Sequence, residues 1–409
     1  MNSTPEQSSV VKSLLISSTY YPPDVGGISQ FMSSMVSALG PARVCCLTGV
    51  RAQGDQQTKR SVAGVYRRPF AFAKPRYLQA VGWAAAVAEI MVRERPQAVQ
   101  LATLYEGYLG LWMRKWLRMP YVVYAHGNEV LDAMQADWDG PRRALRSADC
   151  VLANSLFTAD LLKQAGVKSE RIEIVHPGCD VTRFTPTSVS DDFRKAILGS
   201  RARSKVILTV GRLVARKGHD VMIRALPRVL KDIPDACYVI VGNGPSKPML
   251  VELTFSMGVQ GNVIFLENVG HAELPSMYAM CDVFVMPSRA DLANCDVEGF
   301  GMVYLEANAC GKPVIAGKSG GIADAVLDGE TGLLVPPDSP ATLAESICRL
   351  LTDTDYAEML GRQGRERAIR EFSWDAIADR VDRIICAVAS GKYESACRSA
   401  PVKKKVIRL

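Results

Sequence analysis

The strongest constraint on the fold is a series of short, almost unbroken apolar runs separated by longer segments. LLIS (14–17), VCCLT (44–48), AVQLA (98–102), YVVYA (121–125), CVLA (150–153) and IEIV (172–175) form a first set. A run that is apolar at both parities must be covered on both faces, which is the signature of a parallel strand between layers of helices. The segments between these runs carry helical periodicity, as in 28–39 and 80–93. The pattern then restarts with KVILTVG (205–211), CYVIVG (237–242), NVIFL (262–266), DVFVMP (282–287), PVIAG (313–317) and GLLVP (332–336). A length of 409 residues exceeds one ordinary core. The expectation is α/β architecture with two Rossmann-like, doubly wound domains: 1–185, 186–373, and a terminal helix and tail at 374–409. The helix is expected to cross back to the first domain. The polar, charged stretch 186–204 reads as a linker. Ligands of such sheets bind beyond the carboxyl ends of the strands. With two sheets, those ends are expected to face each other across a cleft.

Composition narrows the function classes. Hydrophobic residues make up 48% and charged residues 22%, as in a globular protein. The net charge is +7, from 49 Lys+Arg against 42 Asp+Glu. That mild excess suits an anionic ligand or an acidic membrane surface and falls short of a nucleic-acid partner. The 11 cysteines include no CxxC pair, which reads as buried reduced thiols with no metal site. No secretory signal opens the chain, and the apolar stretch 80–92 is interrupted by Glu89. It is too short for a bilayer, which needs about 20 apolar residues. A cytoplasmic protein is expected, with contact at the inner face of a membrane left open.

The stretch DVEGFGMVYLEANACGKPVIAG concentrates the chemistry. Met302 to Cys310 has the pattern of a helix, Gly311 its left-handed stop, and Pro313 opens the next strand. Small residues at the helix start leave backbone N–H groups and the positive end of the helix dipole for a phosphate. The N–H groups of Phe300, Gly301, Met302 and Val303 are the candidates. Glu298 stands just before the helix. Glu306 lies about two turns along, placed to accept hydrogen bonds from ribose hydroxyls. A capping carboxylate followed by a solvated one is the plainer alternative.

Four further features fall at strand ends. In VGRLVARKGHD, Arg212 and Lys217 follow a strand and suit a diphosphate, or else form a solvated basic turn. In STYYPPDVGGISQF, Gly26 and Gly27 precede a helix and let backbone approach an anion, or else form an ordinary tight turn. That loop lacks GxGxxG and the Walker Lys-Ser/Thr, so neither a nicotinamide dinucleotide nor an ATPase reading holds. In YAHGNEV, His126 directly follows a strand, as a site residue or a hydrogen-bonded structural histidine. In KSGGIADAV, Gly320 and Gly321 open a short helix carrying Asp324 and suggest another anion or sugar contact. Together these offer amides, cations and carboxylates for a nucleotide-diphosphate sugar.

On these motifs the chain resembles the family 4 glycosyltransferases of the GT-B fold, from Gly26-Gly27 to FSWDAIADR near Phe372. The resemblance implies that Glu298 and Glu306 are the paired motif glutamates. It implies that Arg212 and Lys217 bind the diphosphate and that His126 contacts the sugar at the reaction centre. Gly26 and Gly27 would sit in the loop that closes on the phosphate. DVEGFGMVYLEA and KSGGIADAV are most similar to the bacterial phosphatidylinositol mannosyltransferases. That implies retention at the anomeric carbon, no required cofactor or metal, and GDP-mannose ahead of a UDP-sugar as donor. Many relatives carry Glu where Asp324 stands, one methylene longer.

The expected activity is hexosyl transfer to a hydroxyl acceptor: a glycan, a lipid-linked sugar or a small molecule. Arg212, Lys217 and the amides after Glu298 would stabilise charge on the departing diphosphate. Glu298 would orient the sugar, and domain closure would exclude water. The sequence shows no enzyme nucleophile, which favours same-face attack. A sugar-nucleotide 2-epimerase and a non-catalytic binding module are the rivals. The helical stretch LGLWMRKWLRMP (109–120) reads either as a core helix with a basic outer face or as a lipid-headgroup surface. The basic end PVKKKVIRL offers a further contact with anionic lipid.

Overall fold

The computed structural model describes residues 10–24, 26–49, 64–68, 76–136 and 139–393. PVKKKVIRL lies outside these. Contacts divide the chain into two units. One comprises Met1–Ala153, Ala159–Val175 and Ala378–Leu409, and the other Asn154–Thr158 and His176–Ile377.

The first unit is built on a seven-stranded parallel sheet: β1 (Ser13–Ser17), β2 (Val44–Gly49), β3 (Val65–Arg68), β4 (Ala98–Leu101), β5 (Tyr121–Ala125), β6 (Cys150–Ala153) and β7 (Ile172–Ile174). Their order is β3-β2-β1-β4-β5-β6-β7. β1, β4, β5 and β6 are buried along their whole length. β3, with sequence VYRR, escapes the search for apolar runs because it is a half-buried edge strand carrying two arginines.

The second unit holds a six-stranded parallel sheet: β8 (Val206–Val210), β9 (Cys237–Val241), β10 (Val263–Leu266), β11 (Val283–Met286), β12 (Val314–Gly317) and β13 (Leu333–Val335). Its order is β10-β9-β8-β11-β12-β13. Side chains alternate across a strand, and here each parity feeds its own core. Val206, Leu208, Cys237, Val239 and Phe284 join one cluster. Ile207, Tyr238, Ile240, Val283 and Val285 join the other. This explains the unbroken apolar runs. Burying one such side chain contributes about 1.5–3 kcal/mol, so the sheet is the stable platform of the unit.

The stretch 186–204 is not a linker. Ser190 accepts from the Phe193 N–H at 3.2 Å and caps the helix Asp191–Leu198. Arg194 donates to the carbonyls of Ala202 (2.8 Å), Met280 (2.9 Å) and Ser204 (2.9 Å). The bonds to Ala202 and Ser204 fold the stretch on itself and the one to Met280 pins it to the second unit, and the division falls earlier, between Val175 and His176. At the other end, the helix Trp374–Ala389 groups with the first unit from Ala378 onward. There Arg43 pairs with Asp382 at 3.0 Å.

Candidate active site

Each sheet reverses its strand order once, between β1 and β4 and between β8 and β11. Connections leave such a point in opposite directions and open a crevice beyond the carboxyl ends. In the second unit, the segment after β8 carries Arg212, Arg216 and Lys217, and the segment after β11 carries Glu298. They pack closely. A Cβ on Gly218 (φ +73) would lie 2.2 Å from the Pro287 carbonyl oxygen.

The structure brings Glu298 and Lys217 together. The Lys217 Nζ donates to Glu298 Oε2 at 2.5 Å, and Arg216 Nη1 donates to the same oxygen at 3.0 Å. Arg216 also pairs through Nε with Asp296 at 2.7 Å. Glu298 is 9% exposed. Burial pushes its carboxyl upward, but the charges of Lys217 and Arg216 outweigh that and hold it below the usual carboxylate range. Sequence reasoning passed over Arg216, although its place beside Lys217 was the available signal. Arg212 stands apart. Its side chain is exposed and, among the described residues, its guanidinium meets no hydrogen-bond partner. Its carbonyl accepts from His219 Nε2 at 3.2 Å. His219 is 1% exposed, and Tyr238 Oη lies 3.3 Å from its Nδ1. Burial lowers its pKa to about 4, so the ring is neutral near pH 7 and ties the loop backbone to β9.

The helix Met302–Ala309 begins at Gly301, whose φ of 96° places it in the left-handed region. No side chain caps it. Gly311 (φ 73°) ends the turn after it, its N–H donating to Asn308 O at 2.8 Å. Met302 and Val303 are half-buried in the first turn. Phe300 is buried, with its ring 5.2 Å from the His176 ring in a stacked arrangement. Its side chain is taken up in packing, so the task expected of Phe300 would fall to its backbone N–H. Glu306 is 7% exposed, and Tyr278 donates its hydroxyl to Oε2 at 2.7 Å. Burial raises this carboxyl, with Tyr278 opposing. Oε1 takes no hydrogen bond among the described residues. Nothing in the sequence pointed to Tyr278, which lies 28 positions away.

Gly320 and Gly321 have a packing role. A Cβ on Gly320 (φ +53) would lie 2.4 Å from Glu298 O, and one on Gly321 would lie 1.9 Å from Gly299 O. The Gly321 N–H donates to Glu298 O at 2.9 Å. These glycines hold the backbone that carries Glu298. Asp324 Oδ2 accepts from the Leu156 N–H at 2.6 Å and lies 3.8 Å from His176 Nδ1. The shorter acid is thus engaged with the protein.

In the first unit, His126 follows β5. Its Nε2 lies 2.9 Å from Ala102 O, and its N–H donates to Glu129 Oε1 at 2.6 Å. Gly26 and Gly27 are exposed at the start of the helix Gly27–Leu39, which no side chain caps. Gly26 has extended backbone (φ 160°) and nothing within 4 Å of a built Cβ. The buried carboxylate of Glu106 spans the switch point of this sheet. Oε1 accepts from Ser18 N–H (3.0 Å) and Oγ (2.6 Å), and Oε2 from Thr103 N–H (3.0 Å) and Oγ1 (2.5 Å). It joins the loops after β1 and β4 with four hydrogen bonds. Among the described residues, no group of three or more His, Cys, Asp or Glu is placed to hold a metal ion.

Family models cover most of the chain: glycosyltransferase family 4 over residues 25–183 and glycosyl transferases group 1 over 190–367. A GDP-mannose-dependent alpha-(1-6)-phosphatidylinositol monomannoside mannosyltransferase of Mycolicibacterium smegmatis is 32% identical, over 93% of this chain and 99% of its own. The GDP-mannose-dependent monoacylated alpha-(1-6)-phosphatidylinositol monomannoside mannosyltransferase of Corynebacterium glutamicum is 31% identical, over 92% and 98%. Among solved structures, sucrose-phosphate synthase from Thermosynechococcus elongatus superposes with a TM-score of 0.78 at 24% identity, covering 93% of this chain and all of that one. This likeness shows the GT-B fold. With its two parallel-sheet units and these relatives, the chain belongs to the family 4 glycosyltransferases.

Proposed function

We propose that the protein transfers mannose from GDP-mannose, with retention at the anomeric carbon, to a hydroxyl of a phosphatidylinositol-based glycolipid. The observation that carries this reading is the carboxylate of Glu298 held by Lys217 and Arg216, with Glu306 on the helix that follows. A bound diphosphate would take over Lys217 and draw in the exposed Arg212. Their charge, with the amides from Phe300 to Val303, would favour departure of GDP. Glu298 would then accept hydroxyl protons of the sugar, and Glu306 Oε1 those of the ribose. His126, Gly26 and Gly27 would serve the sugar and its phosphate from the first unit. The mycobacterial and corynebacterial relatives, named for GDP-mannose and phosphatidylinositol mannosides, support the choice of donor and acceptor.

Three cations at the site make a metal-free reaction part of the same proposal, and EDTA is expected to leave turnover unchanged. A lipid acceptor would bring the protein to the inner face of the membrane. No described helix is long and apolar enough to cross one.

The test is a thermal-shift titration with GDP, UDP and ADP. At 100 times its Kd a ligand adds about 2.7 kcal/mol to the folded state. GDP is expected to raise Tm most, and Glu306→Ala to abolish the rise. In turnover with a phosphatidylinositol mannoside, Glu306→Ala should raise the donor KM, whereas Arg212→Ala should lower kcat. A response to UDP alone would replace the donor. Conversion of the donor without an acceptor would favour the epimerase.

A further inference from the structure

The helix Gly107–Leu117 presents more than packing requires. Its inner face carries Gly107, Gly110 and Met113, all buried, with Gly107 against Ala144 of the helix Asp139–Ser147 and Gly110 against the sheet. At Gly110 a Cβ would lie 2.7 Å from Leu101 Cδ1 and 2.9 Å from the Tyr121 ring. The outer face carries Tyr108, Trp112 and Trp116 at four-residue spacing, which aligns them along one side. They are 65%, 38% and 66% exposed. An outward-facing Trp pair adds nothing to the core and is uncommon on a protein surface without a partner.

Trp112 and Trp116 line an open cavity of about 710 Å³. Arg114, Lys115, Arg143, Arg146 and Arg171 line it too, and no carboxylate does among its described residues. Asp149 pairs with Arg114 at 3.0 Å and Asp139 with Arg146 at 3.3 Å. Lys115 and Arg143 are exposed and form no ion pair among the described residues, and Lys115 Nζ sits 5.1 Å from the Trp116 ring centre. The cavity belongs to the amino ends of the strands. The helix Gly107–Leu117 leads into β5, the helix Asp139–Ser147 leads into β6, and Arg171 immediately precedes β7. His126, Gly26 and Gly27 follow the carboxyl ends. Five residues of β5 separate the two levels, roughly 15 Å.

We propose that this face docks on an anionic phospholipid bilayer, with Trp112 and Trp116 at the headgroup level and the cationic cavity seating a lipid phosphate. Amphipathic rings flanked by Lys and Arg are what the boundary between headgroups and acyl chains selects. A soluble anion would need the cations but not the exposed rings. The surface is independent of the donor reading, and its test does not use turnover.

The full chain is mixed with phosphatidylcholine vesicles and with vesicles carrying about one third phosphatidylglycerol. Sedimentation reports binding, and quenching of Trp fluorescence by brominated acyl chains reports depth. Binding is expected to the anionic vesicles only and to weaken from about 0.1 M to about 1 M salt. Lys115→Gln and Arg143→Gln should each weaken it about fivefold. The double variant Trp112→Ala/Trp116→Ala should lose most of the quenching. Each variant should keep the Tm rise with nucleotide, which shows that it is folded. Equal binding to neutral vesicles would overturn the proposal. So would binding that survives all these substitutions, because the contact then lies elsewhere, PVKKKVIRL included. Displacement by inorganic phosphate beyond that caused by chloride at equal ionic strength would mark a small-anion pocket and overturn it as well.

Discussion

In the second unit Glu298 is tied to Lys217 and Arg216, two cations of the same site, whereas in the first His126 is tied to the scaffold. Glu298, Lys217 and Arg216 share one carboxylate oxygen, and Gly321 has no room for a side chain. His126 meets the Ala102 carbonyl, the Glu129 carboxylate and the edge of the Phe31 ring, and Gly26 stands in open space. The second unit therefore carries its charge constellation already assembled, so its chemistry and its stability are coupled. In the first unit the residues expected to meet the sugar contribute little to the fold. Substitution should then cost more stability in the second unit than in the first.

The largest effect is expected at Glu298. Glu298→Ala leaves Lys217 buried without its counter-charge, and breaking such a pair costs about 3–5 kcal/mol. His126→Ala removes the bond to the Ala102 carbonyl and the ring contact with Phe31, together worth about 2 kcal/mol, while its proposed role makes turnover fall. Denaturant midpoints and donor turnover of the two variants test the contrast. If His126→Ala lowered the midpoint as far as Glu298→Ala, the two units would not differ in this way.

The same contrast governs what could be read from the sequence. All twelve apolar runs became strands because burial on both faces leaves a strong local signal. The edge strand β3 left none because Arg67 and Arg68 interrupt its apolar run; β10, equally half-buried, was legible because VIFL is apolar throughout. Motif residues adjacent in sequence, such as Glu298 and the glycines after it, were legible through their spacing. Residues that act across the fold were not. Tyr278 reaches Glu306 from another helix, and Glu106 joins two loops. Such pairs are set by tertiary packing, which periodicity does not record. The segment 186–204 was misjudged for a related reason: the carbonyl partners of Arg194 cannot be counted from composition.

A second test concerns the loop that carries Arg212. His219 is held neutral by burial, with a folded pKa of about 4 against about 6.5 when unfolded. Between those values the unfolded chain binds a proton that the folded chain does not, so stability falls as pH drops from about 6.5 to about 4. Above that window the contribution is fully present. The whole loss is roughly 3 kcal/mol. His219→Gln should flatten this part of the pH–Tm curve and, by loosening the Arg212 carbonyl, lower kcat more than it raises donor KM. A curve with the same slope in the variant would place the acid sensitivity elsewhere.

The smallest effect separates the two glycine motifs. In Gly321→Ala the new methyl meets the Gly299 carbonyl oxygen at 1.9 Å and Ser155 Oγ at 2.6 Å. The segment before the Met302–Ala309 helix must shift, at a cost of about 1–3 kcal/mol. Gly26→Ala meets nothing within 4 Å, and its backbone is one that alanine adopts freely. Its stability should change by no more than about 0.5 kcal/mol. Any fall in activity would then report the approach of a ligand to the Gly26 backbone, because the protein itself offers no clash. If Gly26→Ala left both stability and donor KM unchanged, the loop before the Gly27–Leu39 helix would be an ordinary turn.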